Sequence, residues 1–99
     1  MIITKTQEGN SLTVALEGRM DTNSAPQLKE ALEEEMASIT ELVIDLKKLA
    51  YTSSAGLRVL LSAQKTMNIK GGMAIRNVSE EIMEIFDMVG FTGLLNIEE

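Results

Sequence analysis

The pattern of apolar and polar residues at the start of the chain predicts two β-strands. Residues 2–6 and 12–16 are short runs that are rich in apolar and β-branched side chains. Between them, residues 8–11 read Glu-Gly-Asn-Ser. Glycine and asparagine readily take the positive φ angles of a tight hairpin turn. The sequence therefore predicts an opening β-hairpin, followed by a polar loop over residues 18–23.

Three later segments carry apolar residues at the spacing of amphipathic helices. The first begins at Ser24-Ala25-Pro26-Gln27, which has the composition of a capping box with proline in the first turn. The second covers residues 53–69 and stops at Gly71-Gly72. The third begins at Ser79-Glu80-Glu81 and stops at Gly90. The apolar stripes of the three helices are Leu28, Ala31, Leu32 and Met36; Leu57, Leu60, Leu61 and Met67; and Ile82, Ile85, Phe86 and Val89.

The remaining apolar runs predict the other strands of a sheet. Residues 42–46 are almost continuously apolar, which is typical of a strand at the centre of a sheet. Residues 73–78 form a shorter strand, and residues 94–97 are a candidate last strand. The predicted order is β-β-α-β-α-β-α-β, in which the strands on either side of the second helix should be parallel. We therefore expect a single α/β domain over residues 1–99, with a mixed β-sheet packed with helices.

Composition and charge narrow the classes of function. The chain has 99 residues, of which 44% are hydrophobic, and no apolar run approaches a membrane span of roughly 18 residues. Met1 leads directly into a strand without the basic region of a signal peptide, so a cytoplasmic location is expected. The net charge of −6 and the scattered basic residues argue against nucleic acid or an anionic membrane as partner. The same charge disfavours self-association, so we expect a monomer or a weak dimer.

The residues needed for several kinds of catalysis are absent from the sequence. The chain has no histidine, which excludes a Ser-His-Asp triad. It has no cysteine either, so metal sites built on these two residue types are excluded. No phosphate-binding loop or dinucleotide fingerprint occurs. We expect a protein that is not an enzyme and that binds neither a metal nor a cofactor.

One stretch places three hydroxyls and a glycine where the central strand passes into the second helix: Thr52, Ser53, Ser54, Ala55 and Gly56. One hydroxyl is enough to cap a helix, which stabilises it by about 1 kcal/mol. Glycine in the first turn costs roughly 1 kcal/mol relative to alanine, and capping does not explain it.

The alternative to capping is a site for another protein or for phosphate. A helix N-terminus favours negative charge, including that of a phosphate on serine. Ala55 and Gly56 would also leave the backbone open to a close approach by a partner. From these residues alone, the site and the simple cap are equally supported.

Three segments resemble one family. Residues 45–61, DLKKLAYTSSAGLRVLL, resemble the signature of STAS domains, named for sulphate transporters and anti-sigma factor antagonists. Residues 16–32, LEGRMDTNSAPQLKEAL, resemble that family's Gly-x-x-Asp loop and first helix. Residues 71–97 resemble its glycine turn, fourth strand and final helix. The resemblance covers almost the whole chain and implies a free-standing bacterial anti-sigma factor antagonist.

The resemblance also implies a partner-switching mechanism in transcription regulation. The unphosphorylated antagonist binds an anti-sigma factor that is also a serine kinase, and a sigma factor is thereby released. Phosphorylation of one serine ends the binding, and a serine phosphatase restores it. Carried over to this chain, the acceptor is Ser54, two residues before Gly56. Members of the family often have aspartate directly before the acceptor, whereas this chain has Ser53, which is therefore the alternative acceptor.

Further residues follow from the same resemblance. The loop aspartate falls on Asp21, where a turn-forming role is almost as well supported as a partner contact. The position at the strand end falls on Asp45, where a structural hydrogen bond is the favoured interpretation. For Arg58, a plain surface position is favoured over a contact. The predicted partner-binding residues are Asp21, Thr22, Thr52, Ser53, Ser54, Ala55, Gly56 and Arg58. The alternative function is a STAS-like scaffold or nucleotide-binding module that is never phosphorylated.

Overall fold

A computed structural model describes residues 1–98, and its elements follow the order β-β-α-β-α-β-α. The predicted α/β class is confirmed. Among residues 1–98, no helix is both long enough and apolar enough to cross a membrane. The elements are β1 (Ile2–Glu8), β2 (Ser11–Met20), α1 (Ala25–Met36), β3 (Glu41–Thr52), α2 (Ser54–Lys70), β4 (Gly72–Arg76) and α3 (Glu80–Met88).

The four strands form one mixed sheet in the order β1-β2-β3-β4. The antiparallel hairpin of β1 and β2 turns through Gly9, whose φ is 59°, and Asn10. The pairs β2–β3 and β3–β4 are parallel, with Leu42 opposite Met73 in the second pair. The predicted hairpin and the predicted parallel β-α-β unit are therefore both confirmed.

Helices α1 and α2 cover the same face of this sheet. The connections from β2 to β3 and from β3 to β4 both step in the same direction across the sheet. Because such connections are right-handed, the helices within them lie on the same face. Accordingly, α1 contacts α2, which packs on β3 and β4. Alternate positions of β2 and β3 are buried beneath the helices, and α3 adds to the same hydrophobic cluster. Its fully buried members include Leu12, Val14, Leu16, Leu28, Leu42, Ile44, Leu46, Leu57, Leu60, Ile82 and Phe86.

Two predicted boundaries are wrong. The loop expected over residues 18–23 starts later, because β2 continues to Met20 through Gly18, whose φ is 103°, and through two register shifts against β3. The candidate last strand at residues 94–97 is reduced to a single parallel bridge between Ile97 and Ile75. The amides of Leu94 and Leu95 donate to the carbonyl of Phe91, so this part of the chain is committed to a turn.

Candidate functional site

The strands β2 and β3 end side by side, and the hydroxyl stretch begins there. Met20 lies opposite Thr52, and the Ser53 amide donates to the Met20 carbonyl over an N···O distance of 2.8 Å. Asp21 follows Met20 directly, so the predicted loop aspartate and the predicted acceptor serines lie at one edge of the sheet. This is the carboxyl edge of the parallel strands, where open α/β sheets usually carry their sites.

The three hydroxyls have three different environments. Thr52 is buried, and its Oγ1 donates to the carbonyl oxygen of Ser53 at 3.2 Å. Ser53 is the N-cap of α2, and its Oγ accepts a long hydrogen bond of 3.4 Å from the Gly56 amide. Ser54 is the first residue of α2, is exposed, and makes no side-chain hydrogen bond within residues 1–98. Capping therefore accounts for Ser53 and leaves the Ser54 hydroxyl available.

Gly56 has a packing role that the sequence did not indicate. A Cβ at this position would lie 2.6 Å from Cγ of Met20 and 2.7 Å from Oγ1 of Thr52, and both neighbours are buried. Only glycine lets the first turn of α2 approach β2 and β3 this closely. The interpretation that Gly56 keeps the backbone open to a partner is wrong, because Gly56 is itself buried. Neither Thr52 nor Gly56 offers a surface to a partner, although both were predicted contacts.

Asp21 organises the turn that leads into α1. Its Oδ1 accepts hydrogen bonds from the amides of Asn23 and Ser24, at 2.9 and 3.0 Å. The Ser24 amide, with further help from the Asn23 amide and the Arg19 charge, holds the pKa of the Asp21 carboxyl below its usual range. The predicted capping box at Ser24–Gln27 is wrong. The Ser24 hydroxyl instead accepts from the Asp21 amide at 2.9 Å and donates to the Arg19 carbonyl at 3.0 Å.

Two cationic side chains lie near this edge. The guanidinium of Arg19 stacks over the Tyr51 ring, 4.4 Å from its centroid. This pair was missed from sequence because it depends on the register of β2 against β3, and only its closeness to the motif residues could have indicated it. Arg58 is exposed and forms no ion pair among residues 1–98. It is four residues after Ser54, so the two side chains are neighbours on the helix surface. Thr22 is exposed and Ala55 half-buried.

Asp45 belongs to another part of the molecule. Its Oδ1 accepts from the Lys47 amide and from Nδ2 of Asn77, both at 2.9 Å. The bond from Asn77 is the main cause that lowers the pKa of the Asp45 carboxyl. Asp45 lies roughly 20 Å along the strand from Thr52 at ~3.3 Å per residue. The favoured structural role is confirmed, and Asp45 does not join the residues around Ser54.

A groove of about 430 Å³ runs between α1 and α2 and reaches Arg58. Apolar side chains form much of it, and both Lys29 and Glu33 also line it. Within residues 1–98, no group of three or more histidine, cysteine, aspartate or glutamate side chains is placed to hold a metal ion. The full lining is Lys29, Leu32, Glu33, Met36, Arg58, Val59, Ser62, Ala63 and Thr66.

Comparison with known proteins identifies the family of the whole chain. The sequence model of the family described as "Mlab, STAS domain" matches residues 3–96. The anti-sigma-B factor antagonist of Bacillus subtilis (strain 168) is 33% identical over 92 residues, which cover 92% of this chain and 84% of the relative.

Solved structures share the fold at low sequence identity. A putative anti-sigma factor antagonist from Thermotoga maritima superposes with a TM-score of 0.89 at 12% identity, over 98% of this chain and 86% of that one. The anti-sigma factor antagonist SpoIIAA in its unphosphorylated form gives a TM-score of 0.79 at 14% identity, over 99% and 88% of the two chains. Its phosphorylated form, from Bacillus, gives 0.77 at 14% identity, over 99% and 92%. The chain has the fold of these structures, and its match to the family model over residues 3–96 and to the Bacillus subtilis relative shows that it belongs to the STAS domain family.

Proposed function

We propose that the protein is an anti-sigma factor antagonist that is switched by phosphorylation of Ser54. The observation that carries the proposal is the division of roles among the three hydroxyls. Ser53 caps the helix and Thr52 is buried, whereas Ser54 is exposed and makes no side-chain hydrogen bond with any residue of 1–98. Relatives named as anti-sigma factor antagonists, and SpoIIAA with structures of both phosphorylation states, support this assignment.

The geometry favours Ser54 over Ser53 as the acceptor. The Ser53 hydroxyl is half-buried and receives the Gly56 amide, so a phosphate on it would displace the cap of α2. A phosphate on Ser54 instead meets the N-terminal end of the helix, whose first N–H groups have no intrahelical partner. Arg58, one turn further, supplies a positive charge within reach. Both features accommodate the modification without unfolding α2.

The same phosphate would weaken binding to a protein partner. Phosphoserine adds a charge of about −1.5 to −2 at a position that otherwise carries a neutral hydroxyl. A partner that packs on this surface would have to desolvate the charge without an opposing group of its own. We assign the partner as an anti-sigma factor with serine kinase activity, and the enzyme that restores the hydroxyl as a serine phosphatase.

The proposed contact surface surrounds the acceptor. It consists of the residues at this edge that are at least partly exposed: Asp21, Thr22, Ser53, Ser54, Ala55 and Arg58. Thr52 and Gly56 act from beneath, because they set how closely α2 approaches the ends of β2 and β3.

The test uses the purified anti-sigma factor kinases of the source organism, each titrated with four forms of the chain by calorimetry. We expect wild type and Ser54→Ala to bind alike. Ser54→Asp should bind at least about tenfold more weakly, because burying its carboxylate in the interface costs more than ~1.4 kcal/mol, which is the free energy of a tenfold change in affinity. Ser38→Asp places the same charge on an exposed serine between α1 and the amino end of β3, away from the contact surface, and should bind as wild type does.

Incubation with ATP and the kinase that binds should add one phosphate to wild type and none to Ser54→Ala, measured by intact mass. Equal binding of wild type and Ser54→Asp would refute the switch. Phosphate found on the Ser54→Ala variant would show that another residue is the acceptor.

A second candidate function, a nucleotide-binding module, is favoured by the groove between α1 and α2. Its volume of about 430 Å³ is within the range of small-molecule sites, and Lys29 and Arg58 could face phosphate groups. Titration of the wild-type protein with ATP and with GTP tests this function directly. Chemical-shift changes at Lys29 and Val59 would support it, and the absence of any change at millimolar nucleotide would exclude it.

A further inference from the structure

The net charge of the chain is confined to its last quarter. Residues 1–76 contain nine acidic and nine basic residues, and so are neutral as a whole. Residues 77–99 contain six acidic residues and no basic one, which equals the entire net charge of −6. Charge that is segregated to this extent produces a strong local field, which steers the approach of other molecules.

Most of this charge lies on the exposed surface of α3. Glu80, Glu81, Glu84 and Asp87 are all exposed, and none takes part in an ion pair among residues 1–98. Glu98 differs, because it pairs with Arg76. The four carboxylates of α3 therefore serve no ion pair within the described part of the chain.

The end of α3 and the turn that follows it add three exposed apolar side chains. Met88, Val89 and Leu94 are 83, 43 and 55% exposed, and they make up three of the five exposed large hydrophobic residues within residues 1–98. We call these three residues, with the acidic Glu84 and Asp87 that precede them, the α3 patch. Exposed apolar side chains that are flanked by charged ones are typical of an interaction surface.

The α3 patch rests on an ordered turn. The Phe91 amide donates to the Phe86 carbonyl at 2.9 Å, and the Leu94 amide donates to the Phe91 carbonyl at 3.0 Å. Buried Phe86 and Leu95 anchor the turn in the core on either side. Because the backbone is already held, a partner that binds here has little ordering cost to overcome.

The α3 patch lies at the opposite end of the sheet from Ser54. Helix α3 starts after the carboxyl end of β4 and, with nine residues, is about 13 Å long. At the end of the following turn, Asn96 donates from Nδ2 to the Met73 carbonyl, and Ile97 then lies parallel to Ile75. By residue 96 the chain therefore runs beside β4 again. The last residue of β4, Arg76, pairs with Asp45, whereas Ser54 lies beyond the carboxyl end of β3 at Thr52, roughly 20 Å further along that strand.

We propose that the α3 patch is a second docking surface, for a protein whose own surface combines an apolar pocket with a rim of lysine and arginine. Charge decides among the possible occupants. A second copy of this chain would bring the same acidic surface, and nucleic acid and anionic membranes would be repelled as well. The proposal goes beyond the switch at Ser54 and does not rest on it, because the two surfaces lie at opposite edges of the sheet.

The test places a photo-crosslinking amino acid at position 88 of the full chain in its native cell. The matched control is position 69, where Ile69 is also apolar and is 89% exposed, but lies beside Lys70 and outside the acidic segment. We expect position 88, and not position 69, to crosslink to a protein whose crosslinked peptide, identified by mass spectrometry, lies in a basic surface. Equal crosslinking at both positions, or a peptide from a second copy of this chain, would overturn the proposal.

The protein identified in this way is then purified and titrated with variants. Glu84→Lys and Met88→Ser should each weaken binding at least tenfold, and added salt should weaken the binding of wild type. Both positions are exposed, and a thermal melt of each variant verifies that it is folded. Ser54→Asp should leave this affinity unchanged, which separates the surface from the switch. The proposal of a second surface would be overturned if neither Glu84→Lys nor added salt changed the affinity, or if Ser54→Asp abolished binding.

Discussion

Gly56→Ala distinguishes a packing role for this glycine from a role in partner access. The added Cβ would lie 2.6 Å from Cγ of Met20 and 2.7 Å from Oγ1 of Thr52. Neither neighbour is at the free surface, since Met20 is 0% and Thr52 1% exposed. One of the two side chains must move, or α2 must tilt away from β2.

The size of the effect follows from two opposing contributions. Forcing an extra carbon into a packed interior costs about 1–3 kcal/mol. Replacing glycine by alanine inside a helix returns about 1 kcal/mol. We expect a net loss of about 1 kcal/mol in the free energy of unfolding, which lowers the Tm of a domain of this size by roughly 4–8 °C.

Urea denaturation followed by circular dichroism measures this loss, with Gly93→Ala as the control. A Cβ on Gly93 would meet no atom within 4 Å, so that variant should stay within about 0.5 kcal/mol of wild type. Met20→Ala alone should cost about 2–5 kcal/mol. In that background Gly56→Ala should cost less than it does in wild type, because its Cβ then meets only Oγ1 of Thr52. A stabilisation by Gly56→Ala of about 1 kcal/mol, with no coupling to Met20, would refute the packing role.

Three further predictions concern single side chains. Ser53→Ala should lose up to about 1 kcal/mol of unfolding free energy with its cap, whereas Ser54→Ala should change it by less than about 0.5 kcal/mol; equal losses in urea denaturation would contradict the assigned cap. With phosphoserine installed at position 54, Arg58→Ala should raise the second pKa of the phosphate by roughly 0.2–0.4, since the nearby cation favours the dianion. Phosphorus NMR measures this pKa, and an unchanged value would show that Arg58 does not reach the phosphate. Asn77→Gly, which keeps the backbone free to adopt the φ of 58°, should raise the pKa of the Asp45 carboxyl, as followed by carbon NMR. A carboxyl whose pKa is lower in the folded state stabilises the fold above the unfolded pKa of ~3.9, and this stability is lost on acidification. The Asn77→Gly variant should therefore lose less stability than wild type below pH ~4. An unchanged dependence of stability on pH would contradict the role of Asn77.

Most of the fold could be predicted from local patterns, because the signals were local and agreed with one another. Ser79 caps α3 through its bond from the Ile82 amide at 3.2 Å, as its position before two glutamates indicated. The Gly71 amide closes the end of α2 on the Met67 carbonyl. The candidate strand at residues 94–97 failed because apolar content alone does not show which backbone groups are already committed to a turn.

The site was only partly predictable. Family resemblance was enough to bring Asp21 and Ser54 together. The separate roles of Ser53 and Ser54, the packing of Gly56 and the pairing of Arg19 with Tyr51 depend on how β2 and β3 align. That alignment includes two register shifts, between Ala15 and Glu17 and between Gly18 and Arg19, which no local pattern predicts.

The bridge between Ile75 and Ile97 has a consequence for the colloidal behaviour of the protein. The outer edge of β4 would otherwise present unpaired backbone groups, and exposed edges of this kind template aggregation. Residues 96–98 occupy that edge: Ile75 donates to the Asn96 carbonyl and accepts from the Glu98 amide, both at 2.8 Å. A foreign strand would have to displace these two bonds and the Arg76–Glu98 ion pair before it could add to the sheet. Residues 96–98 thus protect the edge of β4 against the addition of strands from other molecules, and three residues are enough to do so.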